Sequence, residues 1–519
     1  MKKVLVWCNQ DRNTFALLLT LLLIDRIVLL STFNFKFVGS DDLIFWQGAT
    51  DYLHGQFHEP YFYGQNYNFM LESLFAVPLL LLRIPHFYAL PISSTFLAMF
   101  PFVYFSRKLF KNGFKVEGMV FLVIPVLLPI EYGILTSITR GFISGLFFCS
   151  FLAPALMHPS KKSGWLLAAF SFALGYIFNP NSLVFSLPVM LYLLTLNYRQ
   201  ISFYAINLLA IVPVLLLEFW AKSFYVSHPE YIVHRMWEIQ FDFGKIFENF
   251  SSLDKFFGYF TPLIWPLGWL ILVVILLLGI YQLKRDWRKG LSLIFGIVFI
   301  VITLGINKVN DNIDTIFLSS TRMFLGIPLL SGLAFFWNRD LLKVSDKYLK
   351  FGMVAMVVTV VFSKSSFSEM VVNQHVNKAV AGGAMPVKRK RHLEQDCAKL
   401  AELASKEKID LIVFVPNWEH NVPNMEFYNY GCPLVQEAFP KTIMNVYERR
   451  TWVYLAEKST VESNVLLYNF ALDSIQIDSF TNARTVSTNP NLTLISGNKL
   501  PLDSLLKQLS LGLKRHSYE

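Results

Sequence analysis

Charged residues are scarce in this chain of 519 residues. Asp, Glu, Lys and Arg together make up only 16% of it, whereas soluble globular proteins carry about 25%. Apolar residues reach 54% and aromatic residues 16%, with 49 Phe. A soluble core cannot hide this excess, so the composition excludes an ordinary soluble protein and predicts a polytopic α-helical membrane protein.

Cysteine, glycine and proline are not abundant either. The chain has four Cys, 26 Gly and 23 Pro, which excludes a disulfide-rich scaffold, collagen and a low-complexity chain. The sequence has no Gly-rich phosphate loop after a predicted strand and no Cys-x-x-Cys or His-rich zinc spacing. The net charge of +10 is typical of Lys and Arg collecting in cytoplasmic loops. We therefore predict no nucleic-acid partner.

Polarity divides the chain near residue 364. Residues 1–363 contain nearly all the long apolar runs, with 28 basic and 20 acidic residues, whereas residues 364–519 contain 18 basic and 16 acidic ones. We predict a transmembrane domain at 1–363, with a first outer loop at 34–87, and a soluble domain at 364–519.

Eleven apolar runs approach the roughly 20 residues that a membrane-spanning helix needs. They lie near 14–33, 88–106, 116–131, 141–157, 163–179, 181–196, 201–219, 263–283, 291–306, 323–338 and 350–364. With a cytoplasmic N terminus, the inner segments carry 18 basic residues and the outer segments of the membrane portion about nine. This bias predicts an inside N terminus in a cell (inner) membrane.

The last run, FGMVAMVVTVVF, decides the side of the C-terminal domain. If it spans the membrane, the domain is extracytoplasmic, as we predict; otherwise the domain is cytoplasmic. The domain is predicted to be α/β, with a helix at 394–408 and strands at 409–416, 451–457 and 463–470. Cys397 and Cys432 can pair there in an oxidising compartment, or both can be free.

Two features within or beside the first span stand out. Asp25 and Arg26 are adjacent ionisable residues at membrane depth, which are either an internally paired or snorkelling couple or part of a functional interior. The first outer loop concentrates acids, histidines and aromatic residues between 38 and 73. Composition alone also fits a polar loop with an aromatic belt.

The order of several short motifs resembles GT-C glycosyltransferases, and within them the protein O-mannosyltransferase and lipid A aminoarabinose transferase branch. The motifs are Arg26 in the first span, the pair Asp41 and Asp42 followed by Phe45, the stretch 57–60 (FHEP), and 321–328 (TRMFLGIP). The chain departs from the family pattern at Asp42, where Glu is usual, and at Glu59, which interrupts the usual His-Pro order. The resemblance covers residues 1–340 and says little about 364–519.

The resemblance implies an enzyme that moves a hexose or pentose from a polyprenyl-phosphate donor to a lipid, glycan or protein acceptor at the outer membrane face. It implies Asp41 as the general base of an inverting displacement, with Asp42 as a supporting residue or alternative base. Arg322 is the first candidate for the donor phosphate, followed by Lys308 and Arg140. His58 and Glu59 are candidate substrate-binding residues.

No cofactor is required by the sequence, although some GT-C relatives hold a divalent metal on loop carboxylates. The residues available for one are Asp41, Asp42, Glu59, Asp242 and Glu248. Two other functions fit the membrane architecture: a flippase or transporter of lipid-linked sugars, and an inactive scaffold with the GT-C fold. A transporter often shows internal repeats with interrupted helices, and we find no such repeat.

Overall fold

The computed structural model describes residues 10–231, 239–261, 267–310, 316–382, 387–416, 425–446, 448–471, 482–488 and 490–513. Helices dominate up to residue 382, and a β-sheet forms in the C-terminal part. The membrane-protein fold class with a C-terminal α/β region is thus confirmed.

Helices overlap all eleven predicted spans. The helices to residue 227 are α1 (Asp11–Thr32), α2 (Ser40–Leu53), α3 (Leu71–Leu81), α4 (His86–Lys111), α5 (Lys115–Leu127), α6 (Ile130–Ser137), α7 (Ser144–Met157), α8 (Lys162–Phe178), α9 (Leu183–Asn197) and α10 (Ile201–Ser227). Those that follow, to residue 382, are α11 (Phe243–Phe250), α12 (Asp254–Phe257), α13 (Leu270–Leu283), α14 (Trp287–Thr303), α15 (Asn307–Asn310), α16 (Ile327–Trp337) and α17 (Asp346–Gly382).

Six described helices are long and apolar enough to cross a membrane. They are Asp11–Thr32, His86–Lys111, Pro180–Asn197, Ile201–Ser227, Ser320–Trp337 and Asp346–Ala379. Helices α5 and α6 make a seventh candidate, bent by 93°. Pro129, which caps α6, accounts for the bend because proline has no N–H to continue the helix. By length and composition, these helices are those of a multi-pass membrane protein.

The C-terminal part folds around a five-stranded sheet. Its elements are β2 (Val387–Arg389), α18 (Lys390–Glu407), β3 (Leu411–Phe414), α19 (Cys432–Val435), β4 (Lys441–Met444), α20 (Thr451–Glu457), β5 (Val465–Tyr468), β6 (Ala483–Thr488), β7 (Asn491–Ile495) and α21 (Leu502–Gln508). The sheet order is β4-β3-β5-β7-β6, with β4, β3 and β5 parallel and the other two pairings antiparallel. Strand β2 pairs instead with β1 (Phe37–Gly39) in an antiparallel two-stranded sheet.

In the C-terminal sequence, one prediction is wrong and one open alternative is decided. The run at 451–457 (TWVYLAE), predicted as a strand, is helix α20. Thr451 and Tyr454, three residues apart, are its buried positions, and this helical spacing overrides the strand propensity of Trp, Val and Tyr. Cys397 and Cys432 form a disulfide with a Cα–Cα distance of 5.1 Å. It ties α18 to α19; Cys8 lies outside the described residues.

The chain groups into two compact units. The membrane unit comprises residues 1–35, 88–219 and 237–378, and the loop–sheet unit comprises 36–87, 220–236 and 379–519. The first outer loop therefore shares a unit with the C-terminal sheet. The predicted domain boundary at residue 363 remains a prediction.

Within the membrane unit, Asp25 is enclosed by two cations. Arg26 Nε donates to Asp25 Oδ2 at 2.9 Å, and Lys364 Nζ lies 3.1 Å from Asp25 Oδ1. This arrangement, the Asp25 triad, links α1 to the long helix α17. Asp25 and Arg26, the adjacent ionisable residues of the first span, are therefore paired with each other.

Candidate active site

The acidic pair of the first outer loop opens a helix. Strand β1 pairs with β2, so that Gly39 lies opposite Val387, and α2 begins immediately afterwards at Ser40. The first helical turn therefore contains both Asp41 and Asp42, where negative charge interacts favourably with the helix dipole.

Asp42 is engaged by the backbone of that helix start. Its Oδ2 accepts a hydrogen bond from the Gly39 N–H at 2.7 Å. This is the backbone half of a capping box, in which an acidic side chain at the third helical position reaches back to the capping residue. The contact gives Asp42 a local structural role.

Asp41 faces a cation from the segment that follows strand β4. Arg449 Nη2 lies 3.4 Å from Asp41 Oδ1 and 3.2 Å from Glu426 Oε1. The side chain of Asp41 is 20% exposed, that of Arg449 16% and that of Glu426 8%. We call these three residues the Arg449 triad. Arg449 and Glu426 lie outside the motifs that suggested the site.

The electrostatics of the Arg449 triad follow from its burial. Burial raises the pKa of Glu426, aided by Asp41 and opposed by Arg449. Burial also opposes the charge of Arg449, but Glu426 and Asp41 outweigh it and hold the guanidinium pKa above its ordinary value. Arg449 is thus a permanent cation beside Asp41.

His58 and Glu59 are placed differently from each other. Glu59 is fully buried; its Oε1 accepts from the Gly64 N–H at 3.1 Å and its Oε2 from the Tyr225 hydroxyl at 2.9 Å. Burial raises its pKa well above the ordinary value. In this conformation Glu59 organises the turn of the first outer loop.

His58 belongs to a small cluster around Asp51. Its Nε2 lies 3.8 Å from Asp51 Oδ2, which also accepts from the Tyr63 hydroxyl at 2.9 Å. The imidazole stacks on Trp452 with ring centres 4.0 Å apart. Burial lowers the pKa of His58, opposed by Asp51, which favours the neutral imidazole near neutral pH. The side chain is 22% exposed, so His58 remains accessible to a ligand.

The predicted phosphate-binding residues lie in the membrane unit. Arg140 Nη1 donates to the Phe317 carbonyl at 3.1 Å, and the Arg322 guanidinium lies 5.1 Å from the ring centre of Phe142. The Asn181 amide joins the same two segments, donating to the carbonyls of Phe142 and Arg322. The structure thus brings the segments of these two buried arginines together, in what we call the arginine region.

Lys308 lies in the short helix α15, which is hydrogen-bonded to the arginine region. The Ser320 hydroxyl donates to the Val309 carbonyl at 2.6 Å, which ties α15 to the turn that contains Arg322. Lys308 itself lines a pocket of about 350 Å³. The other lining residues are Gln240, Asp242, Lys245, Gly305, Asn307 and Asn310.

The part of the chain that the structure describes shows no set of side chains arranged to bind a metal ion. Within those residues, no group of three or more His, Cys, Asp or Glu side chains is placed to hold one. The carboxylates of the Arg449 triad are instead balanced by a guanidinium. We derive no chemical step through a metal.

Comparison with known proteins identifies the fold. No protein-family model matches the sequence, and no curated protein matches it. The crystal structure of ArnT from Cupriavidus metallidurans in the apo state is similar, with a TM-score of 0.53 at 9% identity, over 91% of this chain and 96% of that chain. The same protein bound to undecaprenyl phosphate gives a TM-score of 0.53 at 9% identity, over 92% and 97%. The likeness shows the fold, so the resemblance predicted from the motifs is confirmed at that level: this chain has the fold of the ArnT structures.

Proposed function

We propose that this protein is an integral-membrane glycosyltransferase that takes a sugar from a polyprenyl-phosphate donor. The observation that carries the proposal is the fold, shared over 92% of the chain with an ArnT structure bound to undecaprenyl phosphate. The motifs of the first outer loop and of 321–328 support it independently of the structural comparison. The donor sugar is a hexose or pentose, and the acceptor is a lipid, glycan or protein.

The reaction needs a base and a cation. The acceptor hydroxyl attacks the anomeric carbon while the bond from that carbon to the phosphate oxygen breaks, which inverts the anomeric centre. The hydroxyl proton passes to a carboxylate, and the departing polyprenyl phosphate keeps the electron pair of the broken bond. We assign the proton to Asp41 and the charge of the phosphate to the arginine region.

Arg322 is our first choice for the phosphate. A planar guanidinium binds phosphate through two parallel hydrogen bonds, which a lysine ammonium cannot reproduce. We therefore expect Arg322→Lys to weaken donor use by roughly tenfold, with a raised KM for the donor and an unchanged thermal unfolding midpoint. Titrating the donor at saturating acceptor measures this effect. Full activity of Arg322→Ala at limiting donor would contradict the assignment.

The orientation is part of the proposal. We propose a cytoplasmic N terminus and an extracytoplasmic C-terminal domain, which places the reaction at the outer face of the cell (inner) membrane. Lys406 is an exposed residue of α18 and suits a cysteine accessibility test in a variant that lacks Cys8. Labelling of Lys406→Cys in intact cells is expected; labelling only after the inner face is opened would place the domain in the cytoplasm.

The activity itself is tested with purified protein in detergent or nanodiscs. Radiolabelled polyprenyl-phosphate sugars are offered with membrane lipid, glycan and peptide acceptors, and product is separated from unused donor. The proposal expects product with at least one donor and acceptor pair. A transporter would instead move labelled donor across a proteoliposome membrane without forming product, and an inactive scaffold would bind donor and leave it intact.

A further inference from the structure

Arg449 is held rigidly from the C-terminal side. It follows β4, and its two neighbours in sequence are locked by buried hydrogen bonds. Arg450 Nε donates to Glu448 Oε1 at 3.1 Å, and Arg450 Nη2 donates to Asn429 Oδ1 at 3.0 Å. Asn429 in turn donates to Glu448 Oε2 at 2.8 Å. A buried and satisfied network of this kind fixes the backbone that carries Arg449.

The first outer loop closes around the same side chain. Gly64 has a φ of +75°, and a Cβ added there would lie 3.0 Å from Arg449 Cβ and Cγ. Only glycine allows both this backbone conformation and the close approach. The Phe62 ring centre lies 5.4 Å from the guanidinium, a distance at which a cation is attracted to the ring. Arg449 is therefore placed by both parts of the loop–sheet unit.

A π-helix brings the second carboxylate to Arg449. The π-helix Phe427–Gly431 directly follows Glu426, and Gly431 packs against Leu43 of α2. Such irregular turns are frequent at functional sites. Glu426 binds the guanidinium through both Nε and Nη2, at 3.3 and 3.2 Å, whereas Asp41 Oδ1 lies farther from Nη2, at 3.4 Å. Glu426 thus orients Arg449, and Asp41 is the more exposed partner.

From this geometry we infer that Arg449 is a positioning residue for Asp41, so that the C-terminal domain completes the catalytic centre. The guanidinium holds the carboxylate of Asp41 at the start of α2, where the Asp41 side chain is 20% exposed and can meet an acceptor hydroxyl. The inference rests on the proposed function, and it gives the C-terminal domain a role in turnover.

The test is a double-mutant cycle on turnover. We expect Arg449→Gln to lower kcat roughly 10- to 100-fold, the range expected when a reacting group is displaced, with little change in the donor KM. If Arg449 acts through Asp41, the same substitution in an Asp41→Asn background should cost less than about twofold. Arg449→Lys should restore part of the lost kcat, since lysine keeps the positive charge but lacks the planar guanidinium group.

Lys441→Gln is the matched control. Lys441 also lies between two carboxylates, 3.0 Å from Glu457 and 3.0 Å from Glu462, in the same domain, so its loss removes the same charge without touching the first outer loop. Its kcat should equal that of the unchanged protein. If Arg449→Gln does not accumulate as folded protein, Arg449→Lys takes its place in the cycle.

The outcomes distinguish a failure of the Arg449 inference from a failure of the proposed glycosyltransferase function. Multiplicative losses in the Arg449→Gln, Asp41→Asn double variant would overturn the inference while leaving the transferase in place. Equal losses in Arg449→Gln and Lys441→Gln would also overturn it, because they would indicate a general effect of charge. Absence of transfer by the unchanged protein, with every donor tested, would overturn both the inference and the proposed function.

Discussion

Two charged triads in this molecule are mirror images in charge. In the membrane unit, one carboxylate, Asp25, lies between two cations, Arg26 and Lys364. In the loop–sheet unit, one cation, Arg449, lies between two carboxylates, Asp41 and Glu426. The shared anion of the first triad has a side-chain exposure of 1%, whereas Asp41 of the second is 20% exposed.

The difference in exposure indicates different tasks. A carboxylate with both oxygens engaged and almost no exposed surface cannot receive a proton from a substrate, and its main effect is to join α1 to α17. Membrane-buried charges usually pair with one another in this way. The nearest oxygen of Asp41 lies 3.4 Å from the Arg449 guanidinium, and the Asp41 side chain is 20% exposed, which is the accessibility that a base needs. The predictions that follow test this division between a structural and a chemical carboxylate.

The largest expected effect is on the chemistry of Asp41. Asp41→Asn keeps the shape of the side chain and removes the proton acceptor, so we expect kcat to fall about 10²–10⁴-fold. The thermal unfolding midpoint should change little, because Asn fills the same space as Asp and Glu426 still balances the Arg449 guanidinium. Turnover and donor binding are measured separately on purified protein. Near-normal turnover would remove Asp41 from the mechanism.

The converse expectation applies to Asp25. Asp25→Asn leaves two cations buried without their anion, and removing one partner of a buried pair costs about 3–5 kcal/mol. We expect a large drop in the thermal unfolding midpoint in detergent and near-normal kcat for each folded molecule. Adding Lys364→Met removes one of the stranded cations and should recover part of the stability. A normal midpoint with lost turnover would instead make the Asp25 triad functional.

How far the sequence predicted this molecule depends on the range of the interactions involved. The eleven apolar runs depend on local hydrophobicity, and each overlaps a helix. The helix at 451–457 was missed because Trp, Val and Tyr favour a strand when tertiary packing is unknown. Short motifs identified Asp41 and Arg322 as candidates. These residues lie in two separate elements, α2 and the helical turn Ser320–Phe324. No local pattern could pair Asp41 with Arg449, since 408 positions separate them in the chain and they meet only in the folded protein.

The smallest expected effect concerns Asp42. It tests whether Asp42 has a structural role while Asp41 has the chemical one. Asp42 accepts from the Gly39 N–H, so Asp42→Ala should lose a helix-start contact of about 0.5–2 kcal/mol. Asp42→Asn keeps an acceptor oxygen and should cost less. Both variants should retain most of their kcat, since the capping contact is made with the backbone and not through Arg449. Chemical denaturation gives the stability change, and the transfer assay gives kcat on the same samples. A loss of turnover in Asp42→Asn with normal turnover in Asp41→Asn would move the base one residue along the helix, and the capping contact would then have to open before the proton is accepted.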